Sequence, residues 1–228
     1  MAAGLFFYYI TDRGAFPGNE SARRERLLDK IAEAAHAGVD YIQLREKDLP
    51  AGDLESLASE AMHLIRQLRT ENRGVKTRLL INSRTDIALA AGADGVHLRS
   101  GDISSEEVRA IWKRATGTPA DSTGNPTIAV SCHSSEEVAR AAADGANFAV
   151  FGPVFEKSGA GSRAVLDRLP VAVAQLQARH TPFPVLALGG ITTENAGACL
   201  QAGAAGIAAI RLFQGNNIAE TLRLLRNR

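Results

Sequence analysis

Within "DYIQLREKD", Asp40 to Asp48, an amide, a guanidinium and an ammonium recur at alternate positions: Gln43, Arg45 and Lys47. Side chains of a strand alternate between its two faces, so these three share one side. Two fixed cations beside an amide would clamp a phosphate or a diphosphate. The competing reading is a rim in which they pair with Glu46 or Asp48, and surface pairs of that kind contribute little.

Other apolar runs also end in chemistry. "AVSCH" places Ser131 and His133 on one side and Cys132 on the other, so a mouth-facing His133 could act as acid or base while Cys132 packs against helices. "LALGGITTEN" follows an apolar run with Gly189 and Gly190, whose N–H groups could approach an anion closely, and Thr192 or Thr193 could cap the next helix. Arg211 in "GIAAIRLF" would stand beside that cradle or extend into solvent. Asn82 closes "RLLIN", and His97 lies in "GVHL". His36, His63 and His180 fall in helical stretches and read as surface residues.

These ends need a scaffold that gathers them. Four segments, "AHAGVDYIQL", "LAAGADGVHL", "AAADGANFAVFG" and "LQAGAAGIAAI", pass from a helix-like run through a glycine into a strand. Their glycines, Gly38, Gly92, Gly145 and Gly203, lie 54, 53 and 58 positions apart. Between them stand "FFYYITD", "RLLIN", "TIAVSC" and "PVLALGG", each followed by a stretch that can be helical. Glycine supplies the left-handed helix end, and a short apolar run after it suits a parallel strand covered on both sides. Eight such units predict a single (β/α)8 barrel, a TIM barrel, over residues 1–228. An open doubly wound sheet is the runner-up, but no G-x-G-x-x-G follows the first strand. In a barrel the strand ends listed above converge on one mouth. The loop at 13–20 would lie on that rim as a lid, and 114–126 reads as a surface insertion at the opposite end.

Composition limits the function classes. Twenty-six Lys and Arg against 25 Asp and Glu give a net charge of +1, so no basic field is present for nucleic acid or an acidic membrane. The two cysteines, Cys132 and Cys199, lack C-x-x-C spacing and the density of a secreted scaffold, which favours a reduced compartment. With no apolar run long enough to span a bilayer, the expectation is a cytoplasmic protein with no membrane or nucleic-acid partner. A homo-oligomer stays open.

Six strand ends together, "YYITD", "YIQLREKD", "INSRTDIALAAGADGVHL", "AVSCHSSEEV", "FAVFGPVFE" and "LALGGITTEN", resemble the thiamin phosphate synthase and TenI superfamily over nearly the whole chain. The resemblance implies a barrel that binds a thiazole phosphate. One branch joins that ring to a pyrimidine diphosphate with loss of pyrophosphate; the TenI branch tautomerises a carboxythiazole phosphate. It also implies that Gln43, Arg45 and Lys47 contact the pyrimidine and its diphosphate, that Asn82 is a further ligand contact, and that Asp102 in "HLRSGD" is a magnesium carboxylate if the chain is a synthase; Ser131, Gly152, Gly189, Gly190 and Arg211 are the other candidate substrate contacts.

The chain departs from the synthase pattern in three places, one of which is Arg211, where a serine is expected after the eighth strand. "NSR" puts Ser83 where a second magnesium carboxylate is expected, and a hydroxyl is a poor substitute for a carboxylate. "GPVFEKSGAGSR" lacks the threonine and lysine pattern that would hold the anions, although Ser158, Ser162 and Arg163 could compensate around the displaced Lys157. His133 matches the proton-transfer residue of the TenI branch. The sequence therefore points first to a TenI-like thiazole tautomerase with His133 catalytic and no cofactor. The alternatives are a thiamin phosphate synthase requiring Mg2+, and a thiazole-phosphate-binding or regulatory barrel without turnover.

Overall fold

In the computed structural model, which describes residues 4–117, 124–155, 169–170, 173 and 183–227, eight parallel strands close on themselves. They are β1 (Phe6–Ile10), β2 (Tyr41–Leu44), β3 (Arg78–Asn82), β4 (Gly95–Leu98), β5 (Thr127–Cys132), β6 (Phe148–Phe151), β7 (Val185–Leu188) and β8 (Gly206–Ala209). Each pairs with the next and β8 returns to β1, so the expected barrel forms and the open sheet does not. The described helices are α1 (Glu20–Ala37), α2 (Ala51–Glu71), α3 (Thr85–Ala90), α4 (Ser105–Thr116), α5 (Ser135–Ala143), α6 (Ala196–Gln201), α7 (Arg211–Gln214) and α8 (Ile218–Arg226). None is long and apolar enough to cross a membrane.

The repeated glycine turns hold one end of the barrel. Gly38, Gly92, Gly145 and Gly203 all adopt positive φ, between 59° and 96°, where a Cβ would be strained. Two residues beyond the first three stand Asp40, Asp94 and Asn147. Their side-chain oxygens accept the N–H groups of Phe7, Leu79 and Ile128, each at 2.8 Å. The turn thus fastens each new strand to the one before it, and Arg69 braces Asp94 with two further bonds at 3.2 and 2.7 Å. The fourth copy carries Ala205 and lacks this clip. Arg114–Thr116, counted from sequence in a loop, instead complete α4, which Gly117 terminates at φ 67°. Residues 118–123 of that insertion lie outside the described residues.

Alternation along the strands divides the core into two layers. One set of side chains packs outward against the helices, including Phe7, Ile42, Ile81, Val96, Cys132 and Phe151. The other fills the barrel, where Tyr8, Leu80, Phe148, Val150 and Leu186 are buried beside Tyr41. Tyr41 and Phe148 approach to 4.7 Å between ring centroids, and Tyr8 meets Phe148 edge-on at 5.6 Å. These rings plug the barrel. Above them the inward positions turn polar: Gln43, Asn82, His97 and Ser131. The register fixes this change, since Ile10 lies beside Gln43, and Asn82 beside His97.

Candidate active site

Arg13, in the short 3-10 turn Arg13–Ala15 after β1, organises the near side of the mouth. Its guanidinium donates to both carboxylate oxygens of Asp48, at 2.8 and 3.0 Å, and to Glu20 at 2.6 Å. Its backbone N–H donates to buried Glu46 at 3.0 Å, with Nη1 at 3.4 Å from the same oxygen. Thr11 donates its hydroxyl to the other Glu46 oxygen at 2.5 Å and accepts the Arg45 N–H at 3.0 Å. The segment expected as a lid is therefore fastened at its root to the β2 loop. Sequence reading missed Arg13 because its partners lie 33 and 35 positions away.

The consequence falls on Arg45 and Lys47. The carboxylates that could have neutralised them, Glu46 and Asp48, are held by Arg13, and neither cation forms an ion pair among the described residues. The Lys47 ammonium is held below its usual range by Arg45, then by partial burial and Arg99. Like charges are thus concentrated at one edge of the mouth. Such a cluster is expensive in isolation and favourable once an anion with several charges sits on it.

The floor beside these cations is a hydrogen-bonded polar layer. Buried Gln43 donates its amide to Asn82 at 2.9 Å, so two residues predicted to contact the ligand are brought together. His97 is buried between Tyr8 and Ser131, with Nδ1 2.8 Å from the Tyr8 hydroxyl and Nε2 2.7 Å from the Ser131 hydroxyl. Burial first, then the charge of Arg45, pushes His97 down to about 3 against the pull of Asp102. The imidazole is neutral at ordinary pH.

His133 lies exposed just past β5. Its Nδ1 is 2.5 Å from the Gly152 carbonyl, which can only accept, so Nδ1 carries a hydrogen, and in the neutral ring the lone pair is on Nε2. Such a ring can receive a proton. Cys132 faces the helix layer as expected, and burial pushes its thiol up to about 12, far from a nucleophile's range. Gly152 has a packing reason for its identity: a Cβ there would stand 2.2 Å from the Leu188 carbonyl oxygen.

Across the mouth, Gly189 and Gly190 have φ of 105° and 62°, so the backbone after β7 turns through two successive left-handed residues. Their N–H groups donate to no acceptor among the described residues. Asn195 secures the turn by donating to the Gly190 carbonyl at 3.0 Å. Arg211 opens α7 directly after β8, the strand paired with β7, and is exposed. Amides without an acceptor, together with a guanidinium just after the neighbouring strand that forms no ion pair among the described residues, suit a phosphate.

Asp102 and Ser83 are the two positions that the sequence resemblance connects with magnesium. The Arg99 N–H donates to one Asp102 oxygen at 2.8 Å, and Nε and Nη2 donate to the other at 3.1 and 2.9 Å. Burial raises the Asp102 carboxyl, but Arg99 and then the Ser83 hydroxyl outweigh it and hold the group below the carboxylate range. Ser83 itself adopts φ 58°, which costs a residue with a Cβ about 1 kcal/mol or more. Its hydroxyl is buried without a hydrogen-bond partner of ordinary geometry, although it is close enough to influence Asp102. No group of three or more His, Cys, Asp or Glu able to hold a metal occurs among the described residues. One carboxylate and one spare hydroxyl nevertheless fit an ion that arrives on a diphosphate, because magnesium commonly takes one or two carboxylates and fills its shell with phosphate oxygens and water. Asp102 and Ser131 line a common cleft of about 230 Å³ that opens between the β4–α4 loop and α5.

Lys157, Ser158, Ser162 and Arg163 of the loop after β6, and His180, lie outside the described residues. His36 and His63 are exposed on α1 and α2, as their helical positions suggest.

Comparison with known proteins gives concordant findings. Residues 7–213 match the family described as thiamine monophosphate synthase. The thiamine-phosphate synthase of Roseiflexus castenholzii is 35% identical over 213 residues, covering 91% of this chain and 80% of that protein. The thiamine-phosphate synthase of Methanoculleus marisnigri is 34% identical over 232 residues, covering 99% and 95%. Among solved structures, thiamine phosphate pyrophosphorylase from Pyrococcus furiosus superposes with a TM-score of 0.72 at 27% identity, covering 98% of this chain and 94% of that one.

Proposed function

The chain belongs to the thiamine monophosphate synthase family, and we propose that it joins a thiazole phosphate to a pyrimidine diphosphate, releasing pyrophosphate. The observation that carries this reading is the pair of cations, Arg45 and Lys47, that form no ion pair among the described residues while Arg13 holds Glu46 and Asp48. Proton transfer within a ring creates no polyanionic leaving group and would not need them. The relatives' names favour the same alternative over the tautomerase that the sequence placed first.

On this reading the thiazole phosphate lies on the Gly189–Gly190 amides with Arg211, and the diphosphate lies over Arg45 and Lys47. Gln43 and Asn82, locked to one another, orient the pyrimidine between them. The bond from the pyrimidine methylene to the diphosphate oxygen breaks, its electron pair leaving with pyrophosphate, and the thiazole nitrogen supplies the pair that forms the new carbon–nitrogen bond. Fixed cations stabilise the charge that develops on the departing oxygen without having to reorganise. Magnesium, when bound to the diphosphate, would neutralise part of its charge, with Asp102 and Ser83 as this chain's donors. The partner is then a small molecule, and buried, unpaired Cys132 and Cys199 support a reducing, cytoplasmic setting.

The tautomerase remains as a second reading because His133 is exposed just past β5 with its Nδ1 held by the Gly152 carbonyl, which leaves Nε2 for proton transfer. The variant His133→Ala separates the two. Coupling of the two substrates should persist within about tenfold, while any tautomerisation of carboxythiazole phosphate should disappear. Loss of coupling with folding and pyrophosphate binding intact would show that His133 serves the synthase reaction and would undo this division of roles.

A further inference from the structure

Tyr8, on β1, and His97, on β4, are 89 positions apart and meet inside the barrel directly below Ser131. Neither reaches bulk solvent: Tyr8 is 0% and His97 2% exposed. Their rings stack at 5.6 Å with planes 26° apart, which fixes the imidazole orientation. The histidine thereby keeps Nδ1 on the phenol at 2.8 Å and Nε2 on the Ser131 hydroxyl at 2.7 Å.

We infer that these three residues form a one-way hydrogen-bond chain, Tyr8 to His97 to Ser131, that presents the Ser131 hydroxyl to the mouth as a donor. A phenol has one hydrogen to place, and for Tyr8 the acceptor within reach is His97 Nδ1. If Nδ1 carried the hydrogen instead, the phenolic hydrogen would be buried with no acceptor among the described residues, and a buried unmade donor is costly. Tyr8 therefore donates, and Nδ1 accepts. A neutral imidazole then has its hydrogen on Nε2, and burial keeps the ring neutral, helped by Arg45 and opposed by Asp102. Nε2–H donates to Ser131, whose oxygen is thereby engaged as an acceptor. Its own hydrogen is left available for a ligand.

The device selects among ligands. A group that offers a lone pair, as a ring nitrogen or a diphosphate oxygen does, takes the free Ser131 hydrogen, while an amino group aimed at the same point is left with only the hydroxyl's second lone pair. His97 is thus a positioning residue, acting through Ser131 and two bonds removed from the ligand. His133 provides an internal contrast, since its carbonyl partner forces the opposite tautomer.

The consequence for substrate rests on the synthase reading, but the proton's location does not. Nitrogen-15 NMR of the ligand-free wild type should show His97 protonated on Nε2 alone and His133 on Nδ1. In Tyr8→Phe the Nδ1–H form of His97 should appear, because the constraint is gone. His97→Gln can still accept from Tyr8 and donate to Ser131, so inorganic pyrophosphate should bind within about threefold of wild type, whereas His97→Leu should lose about tenfold. A wild-type His97 protonated on Nδ1, or a His97→Leu variant that binds pyrophosphate as tightly as wild type, would overturn the inference. Should the leucine variant not fold, the wild-type spectrum alone decides. Absence of coupling activity in a protein with Nε2-protonated His97 would count against the synthase and leave the chain supported.

Discussion

Arg13 and Glu46 meet below the rim of the barrel, the guanidinium 3.4 Å and the backbone N–H 3.0 Å from the same carboxylate oxygen, with both side chains almost wholly buried. This pair decides which charges remain free at the mouth. Replacing Arg13 by Ala leaves a buried carboxylate without its cation and should cost about 3 kcal/mol in urea unfolding. Pyrophosphate affinity should fall as well, because Glu46 and Asp48 become available to Arg45 and Lys47. A variant of unchanged stability would show that Glu46 is satisfied by Thr11 and the backbone N–H of position 13 without the guanidinium.

The unneutralised cations give a binding signature. Arg45→Ala and Lys47→Ala should each weaken pyrophosphate binding by about tenfold, or 1.4 kcal/mol. Wild-type affinity should also fall as salt rises, since exposed charges are screened over about 8 Å at physiological ionic strength. Titration calorimetry at two salt concentrations checks both, and a salt-independent affinity would point to contacts other than these side chains.

The buried imidazole gives a pH signature. Folded His97 stays neutral down to about 3, while the unfolded side chain takes up a proton near the ordinary 6.5. Between those values the unfolded state binds the extra proton, so stability rises with pH through this window and is lost as pH falls through it. One such proton contributes a slope of up to roughly 1.4 kcal/mol per pH unit. His97→Gln should remove that part of the slope. An unchanged slope in the glutamine variant would mean that other groups account for it.

Much of the scaffold was readable because its signals are local. The Gly38, Gly92, Gly145 and Gly203 turns announce themselves through a backbone conformation that disfavours other residues, and the period-two pattern of "YIQLREK" and "AVSCH" assigns faces correctly for Gln43, Ser131 and Cys132. What escaped depends on register around the closed sheet. Tyr8 looks like any core aromatic until β1 and β4 are brought together across the barrel, and Arg13 looks like a loop cation until β2 delivers Glu46 and Asp48. Arg99 was likewise overlooked, because its partner Asp102 was read as a metal ligand. For the 13–20 loop, sequence shows the length and not that Arg13 fastens its root to Glu46 and Asp48.

The magnesium site offers a gain-of-function test. Ser83 carries a spare, buried hydroxyl beside Asp102. Ser83→Asp supplies a second carboxylate, so the magnesium concentration that half-saturates coupling should fall by about tenfold or more. Pyrophosphate binding measured without the metal should weaken at the same time, because the new charge repels the anion. An unchanged magnesium requirement would mean that the ion is held elsewhere.

The most direct test follows pyrophosphate and thiamin phosphate together, with purified protein supplied with thiazole phosphate and pyrimidine diphosphate. The expected result is one pyrophosphate released per thiamin phosphate formed, none when either substrate is omitted, and loss of both products in the Arg45→Ala, Lys47→Ala double variant. Tautomerisation of carboxythiazole phosphate with no thiamin phosphate formed under any magnesium concentration would contradict the account.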